Sequence, residues 1–209
     1  MIKLYVFLGS PRAFNVMAVA NHLGIEYQTE ALNPAKGEHL TPAYAALNPN
    51  KRIPTLVEDG FVLWEANAIT QYLASKKPES GLLPSGARER ADVARWQFWA
   101  VTSWEQACAM MAYERVVKGL LGLGEPDQAR AKEGEDLFNK YAPVLNDHLK
   151  GHQCVVGNSP TLADFAIGPW LNFAERAGYP VAPYAEIKRW HAAFMQLPAC
   201  QKALVAIPR

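Results

Sequence analysis

Residues 52–69 read RIPTLVEDGFVLWEANAI. Thr55 to Val57 and Phe61 to Leu63 are two short β-forming runs around Asp59-Gly60, a pair suited to a tight hairpin turn that matches strand twist. Pro54 stands at the mouth of the first run, directly after β-branched Ile53. A proline cannot donate to a β-ladder, so it either blunts a sheet edge or forms a cis turn. The second run passes straight into a helix through the acidic residue Glu65. A cis turn, a two-residue hairpin and a helix start, packed this closely, leave few architectures open.

The rest of the first 77 residues supplies the partners such a hairpin needs. Ile2 to Phe7 is a compact apolar run. Pro11 to Leu23 carries apolar residues at helical spacing and stops at Gly24, a helix-ending residue. Tyr27 to Leu32 reads as a second strand, and strand, helix and strand in that order favour a right-handed parallel unit. A helix from Glu65 to Lys76 closes the α/β half. Residues 78–87, PESGLLPSGA, read as a linker. Beyond it, 88–118, 126–150, 162–177, 184–196 and 198–205 read as helices, with no strand signal. The expected organisation is an α/β domain over 1–77 and an all-α domain over 88–209.

The 209 residues are enough for two small cores. With 21 basic and 20 acidic side chains there is no basic block to favour nucleic acid or an anionic membrane surface. The apolar run near the N-terminus is too short for a signal-peptide core, and no stretch is apolar enough to span a bilayer. Cys108, Cys154 and Cys200 are far apart and lack a C-x-x-C spacing. They read as reduced thiols in a cytoplasmic compartment, with neither a metal site nor a disulfide framework.

Three places have residues suited to chemistry. A cis turn at Pro54 would aim the N–H and C=O of Ile53 outward, where an extended peptide can pair with them. Glu65 beside the free N–H groups of a helix start offers a carboxylate for an ammonium and donors for a carboxylate, which suits an amino-acid zwitterion. Ser10, in GSPRAFNV, precedes Pro11 and reads as a helix N-cap. Its hydroxyl, at the end of the first strand, is also placed to donate to a thiolate while accepting from the backbone. Arg12 nearby adds positive potential. Thr161 and Asp164, in SPTLADFAI, read as a capping box and are assigned to folding.

Taken in order, SPRAFNV, KGEHLTPAYAALNP, NPNKRIPTLVEDGFVLWEANAI and SPTLADFAI resemble a cytosolic glutathione S-transferase, of a serine-using, phi-like kind. The resemblance spans the whole chain. It implies a thioredoxin-like N-terminal domain that binds glutathione as co-substrate, an all-α C-terminal domain that shapes the second-substrate pocket, and a homodimer. It implies transfer of the glutathione thiol to small hydrophobic electrophiles, with peroxide reduction as a related use of the same thiolate. Ser10 would stabilise the thiolate. Ile53, with Pro54 cis, would pair with the cysteinyl part. Glu65 and Ala66 would hold the γ-glutamyl end, and His39 would approach the glycine carboxylate.

This chain departs from the family pattern in four places. Ala66 stands where serine is usual, so a hydroxyl contact is lost and only the N–H remains. Leu40 stands where lysine often follows the histidine, and Arg52 where glutamine is common, so Arg52 or Lys51 would supply the missing cation. Asn50 replaces an aromatic that in some classes enters the partner subunit. Phe14, Trp104, Cys108, Met111 and Tyr113 are the candidates for the apolar wall facing the electrophile. The competing reading is a binding or interaction module that kept the fold with little catalysis.

Overall fold

The computed structural model describes residues 1–206. The chain forms two compact units, Met1–Leu83 joined by the stretch from Gln196 onward, and Pro84–Met195. The first unit contains β1 (Ile2–Val6), α1 (Pro11–His22), β2 (Tyr27–Ala31), α2 (Pro42–Leu47), β3 (Thr55–Glu58), β4 (Phe61–Trp64) and α3 (Ala66–Ser75). The second contains α4 (Ala87–Trp99), α5 (Glu105–Ala112), α6 (Lys118–Leu121), α7 (Gln128–His148), α8 (Leu162–Ile167) and α9 (Ala185–Met195). The last helix, α10 (Pro198–Val205), belongs to the first unit and packs on α1. That corrects the expectation of a helical domain running to residue 209. Apolar spacing marks α10 as a helix but does not say which core takes its buried face, Ala199, Cys200 and Ala203.

The sheet order is β2-β1-β3-β4, with β1 parallel to β2 and the other pairs antiparallel. Ile2, Leu4 and Val6 turn one face of the central strand into the core, following the period-two pleat. The hairpin turns at Asp59 and Gly60, with φ of 48° and 86°, the paired positive values a tight I′ turn requires. Glu58 ties the hairpin to α3, accepting from the Tyr72 hydroxyl and from Lys76 Nζ, each at 2.5 Å. The bond from Lys76 holds the Glu58 carboxyl below the usual carboxylate range.

In the helical unit, α4, α5 and α6 follow one another without a non-helical break. Ala100–Trp104 and Tyr113–Val117 join them as wider π-helical turns. Gly134 of α7 lets that helix approach α5 closely, since a Cβ there would stand 2.8 Å from Met110 Cβ and 3.0 Å from the Ala107 carbonyl. Thr161 and Asp164 form the expected capping box at the start of α8. Buried Asp164 also accepts from the Val155 N–H and the Trp190 indole N–H, both at 2.9 Å. Burial pushes its carboxyl up from its ordinary value, against the pull of these donors. Among the described residues no helix is long and apolar enough to cross a membrane.

Candidate functional site

The sheet register gathers three loops at one edge of the first unit. Tyr5, near the end of β1, pairs with Thr55, the first residue of β3, and Thr55 pairs with Trp64, the last of β4. The turn after β1 carrying Ser10, the turn before β3 carrying Ile53 and Pro54, and the exit of β4 into Glu65 therefore share one end of the sheet. β2 runs parallel to β1 and finishes beside it, Val6 against Ala31. The connection carrying His39 and Arg52 thus leaves from that end and returns to it.

Ser10 has the extended backbone of an N-cap, with φ −73° and ψ 135°. Its N–H donates to the Phe7 carbonyl at 3.0 Å, and its own carbonyl accepts from Phe14 N–H at 2.9 Å. The side chain makes no capping bond, and its hydroxyl has no partner among the described residues. Pro11, at the first helical position, has no N–H to satisfy and a φ already set for the helix. The expected side-chain cap is thus corrected: main-chain bonds and Pro11 start α1, and the hydroxyl is left over. Arg12 follows as the second helical residue and is half-buried.

The Ile53–Pro54 peptide bond is cis, as expected. Among the described residues, neither main-chain polar group of Ile53 has a hydrogen-bond partner. A buried polar clasp fixes this loop. The Tyr44 hydroxyl donates to the Arg52 carbonyl at 2.6 Å and lies 2.8 Å from Thr55 Oγ1. Asn48 Nδ2 donates to the same carbonyl at 2.8 Å, and Asn48 Oδ1 accepts from Asn50 N–H at 3.0 Å. Tyr44, Asn48 and Thr55 are all buried, so their polar atoms must pair with one another or stay unsatisfied. The side chains of Arg52 and Lys51 remain exposed.

Glu65 precedes α3 with φ 72° and ψ 118°, outside the ordinary regions for a residue with a side chain. Such a conformation costs roughly 1–3 kcal/mol and persists where the surrounding structure imposes it. Its carboxylate is exposed, while Ala66 is buried and opens the helix. The first N–H groups of α3 have no intrahelical acceptor. His39 is half-buried on a short 3₁₀ turn, and its Nδ1 is buried without a partner among the described residues.

The apolar wall read from the sequence is mostly core. Trp104 stacks on Trp99 and lies 4.8 Å from the Phe138 ring. Cys108 and Met111 are fully buried in the same unit, and Phe14 is buried on α1. Of the five, only Tyr113 reaches solvent, at 40% exposure, on the second π-helical turn. Burial pushes the thiols of Cys108, Cys154 and Cys200 upward, to about 11 for Cys154 and about 12 for Cys200. None of these buried, protonated thiols is suited to act as a nucleophile. Among the described residues no cluster is suited to hold a metal.

Comparisons with known proteins match nearly the whole chain. Residues 1–75 match the family model described as the glutathione S-transferase N-terminal domain, and residues 98–198 match the C-terminal domain. Glutathione S-transferase 3 of Zea mays is 33% identical over 216 residues, covering 99% of this chain and 95% of that protein. A solved structure of glutathione S-transferase III in apo form superposes with a TM-score of 0.88 at 31% identity, covering 100% of this chain and 97% of that one. A glutathione transferase from Pseudomonas putida, with one glutathione disulfide bound per subunit, gives 0.88 at 25% identity, covering 100% and 92%.

Proposed function

Because the chain belongs to the glutathione S-transferase family, and so uses glutathione as its co-substrate, we propose that Ser10, Ile53 and Glu65 hold that tripeptide along one end of the sheet. The observation that carries the assignment is the Ser10 hydroxyl, without a partner among the described residues, at the same end of the sheet as the main-chain groups of Ile53, also unpaired among those residues. The cysteinyl backbone pairs with Ile53 as an added strand, Pro54 setting the turn, and its sulfur comes to Ser10 Oγ. The first N–H groups of α3, beginning with Ala66, take the γ-glutamyl carboxylate, and Glu65 takes the ammonium. His39, Arg52 and Arg12 supply positive or hydrogen-bonding partners for the remaining carboxylate and the thiolate.

The reaction is addition of the glutathione sulfur to an electrophile. A free thiol near pKa 8.5 is only about 3% ionised at pH 7. Lowering that by roughly two units raises the thiolate fraction about 25-fold. The weaker nucleophile then gives back a factor of ~8 on a Brønsted slope of about 0.45. Ionisation alone thus nets about threefold, and positioning supplies the rest. Small hydrophobic electrophiles are the proposed second substrates. Calorimetric titration of the wild-type protein with glutathione tests the site: a saturable isotherm is expected, and no heat at millimolar ligand overturns the assignment.

We also propose a cytoplasmic homodimer. Each unit exposes large apolar side chains, Phe61 and Trp64 on β4 and Phe98 and Val101 on the long helical run. Phe98 is 71% exposed, the largest fraction for an aromatic side chain among the described residues. Phe98→Glu is expected to shift sedimentation from dimer to monomer at micromolar protein. A dimer of unchanged strength would exclude this face from the interface.

A further inference from the structure

The buried face of α1 is apolar from Ala13 to Ala20 with one exception, Asn15, which is only 5% exposed. Its Nδ2 donates to Asn67 Oδ1 at 3.3 Å, and its own Oδ1 has no partner among the described residues. Asn67 is the second residue of α3, directly after Ala66. Asn15 lies five residues past Ser10, on the second turn of α1. One side-chain bond therefore links the two helix starts that the proposed site uses, the first beside the thiol and the second at the γ-glutamyl end.

A half-satisfied buried amide is a poor stabiliser compared with an apolar side chain of similar shape. It does provide geometry. Apolar faces slide over one another with little penalty, whereas a hydrogen bond accepts a narrow range of distance and angle. Resting on the glutathione reading above, we propose that Asn15 is a positioning residue. Through Asn67 it sets the spacing between the Ser10 turn and the first N–H groups of α3 to the length of bound glutathione. Asn15 touches neither end of the ligand and acts only through that bridge.

The test separates positioning from packing. Asn15→Leu fills the same volume without the amide. Its unfolding midpoint is expected to equal or exceed that of wild type, while the KM for glutathione rises at least fivefold and kcat changes less than twofold. That split marks loss of binding shared by ground and transition states. Asn67→Ala is expected to raise KM similarly, and the double variant to be no worse than the more affected single one, because both break one bond. An unchanged KM in Asn15→Leu overturns the proposal. So does a KM that rises only together with a lowered midpoint and adds fully in the double variant. If Asn15→Leu does not fold, Asn67→Ala decides alone, at a half-exposed position: a raised KM with an unmoved midpoint supports the bridge, and an unmoved KM overturns it. Wild-type protein that fails to bind glutathione overturns the site itself, whereas wild type that binds, with variants of unmoved KM, overturns only the role of Asn15.

Discussion

Ser10→Ala is expected to lower kcat/KM at neutral pH by at least tenfold while leaving the unfolding midpoint within about a degree of wild type. A hydrogen bond to an ionised group is worth about 1.5–3 kcal/mol, roughly ten- to hundredfold in rate. Ionisation accounts for about threefold of that at pH 7, by the arithmetic above, and loss of alignment for the remainder. The thermal result follows from a separate observation. Loss of a side-chain N-cap typically costs about 1 kcal/mol, but this hydroxyl makes no capping bond, so nothing of that kind is lost. The pH profile adds a signature, because the acid limb of kcat/KM should move upward as the bound thiol becomes harder to ionise. Equal rates and equal profiles for the two proteins would remove Ser10 from the mechanism.

Asp164→Ala is expected to have the opposite character: severe for folding and unrelated to chemistry. The carboxylate is 1% exposed. It accepts from the backbone N–H of Thr161 at 2.8 Å, from Val155 N–H, and from the Trp190 indole. Each buried donor left unsatisfied costs about 1–3 kcal/mol, so three of them approach the whole stability of an ordinary domain. We expect little soluble protein. Any that folds should melt on the order of 10 °C lower by circular dichroism. Asp164→Asn keeps an acceptor and should lose distinctly less. A midpoint in Asp164→Ala within two or three degrees of wild type would mean that the three donors find other partners.

Much of the first unit was legible because its signals are local. An Asp-Gly pair can adopt the two positive φ values, and Pro54 and Pro11 mark their turns by ring geometry alone. The helical unit was read less well, for a physical reason. Trp104, Cys108 and Met111 recur at i, i+4 and i+7, which marks one helical face without saying whether a core or a ligand lies against it, and the structure buries all three. The Tyr44–Asn48–Thr55 clasp escaped because it joins side chains from a helix, a loop and a strand, which no periodicity connects. Asn15 had a signal, a lone polar residue in an apolar helical run, but its partner Asn67 lies 52 residues away.

α10 returns to the helix that begins beside Ser10, so the first unit is assembled from two stretches that precede and follow the helical unit in sequence. On the ribosome α10 emerges only after the whole helical unit has been made. Until then the outer side of α1 has no cover, and the Ser10 turn rests on an unfinished support. A fragment cut at the linker would carry the whole sheet and every proposed glutathione contact, yet would leave that helix half bare in water.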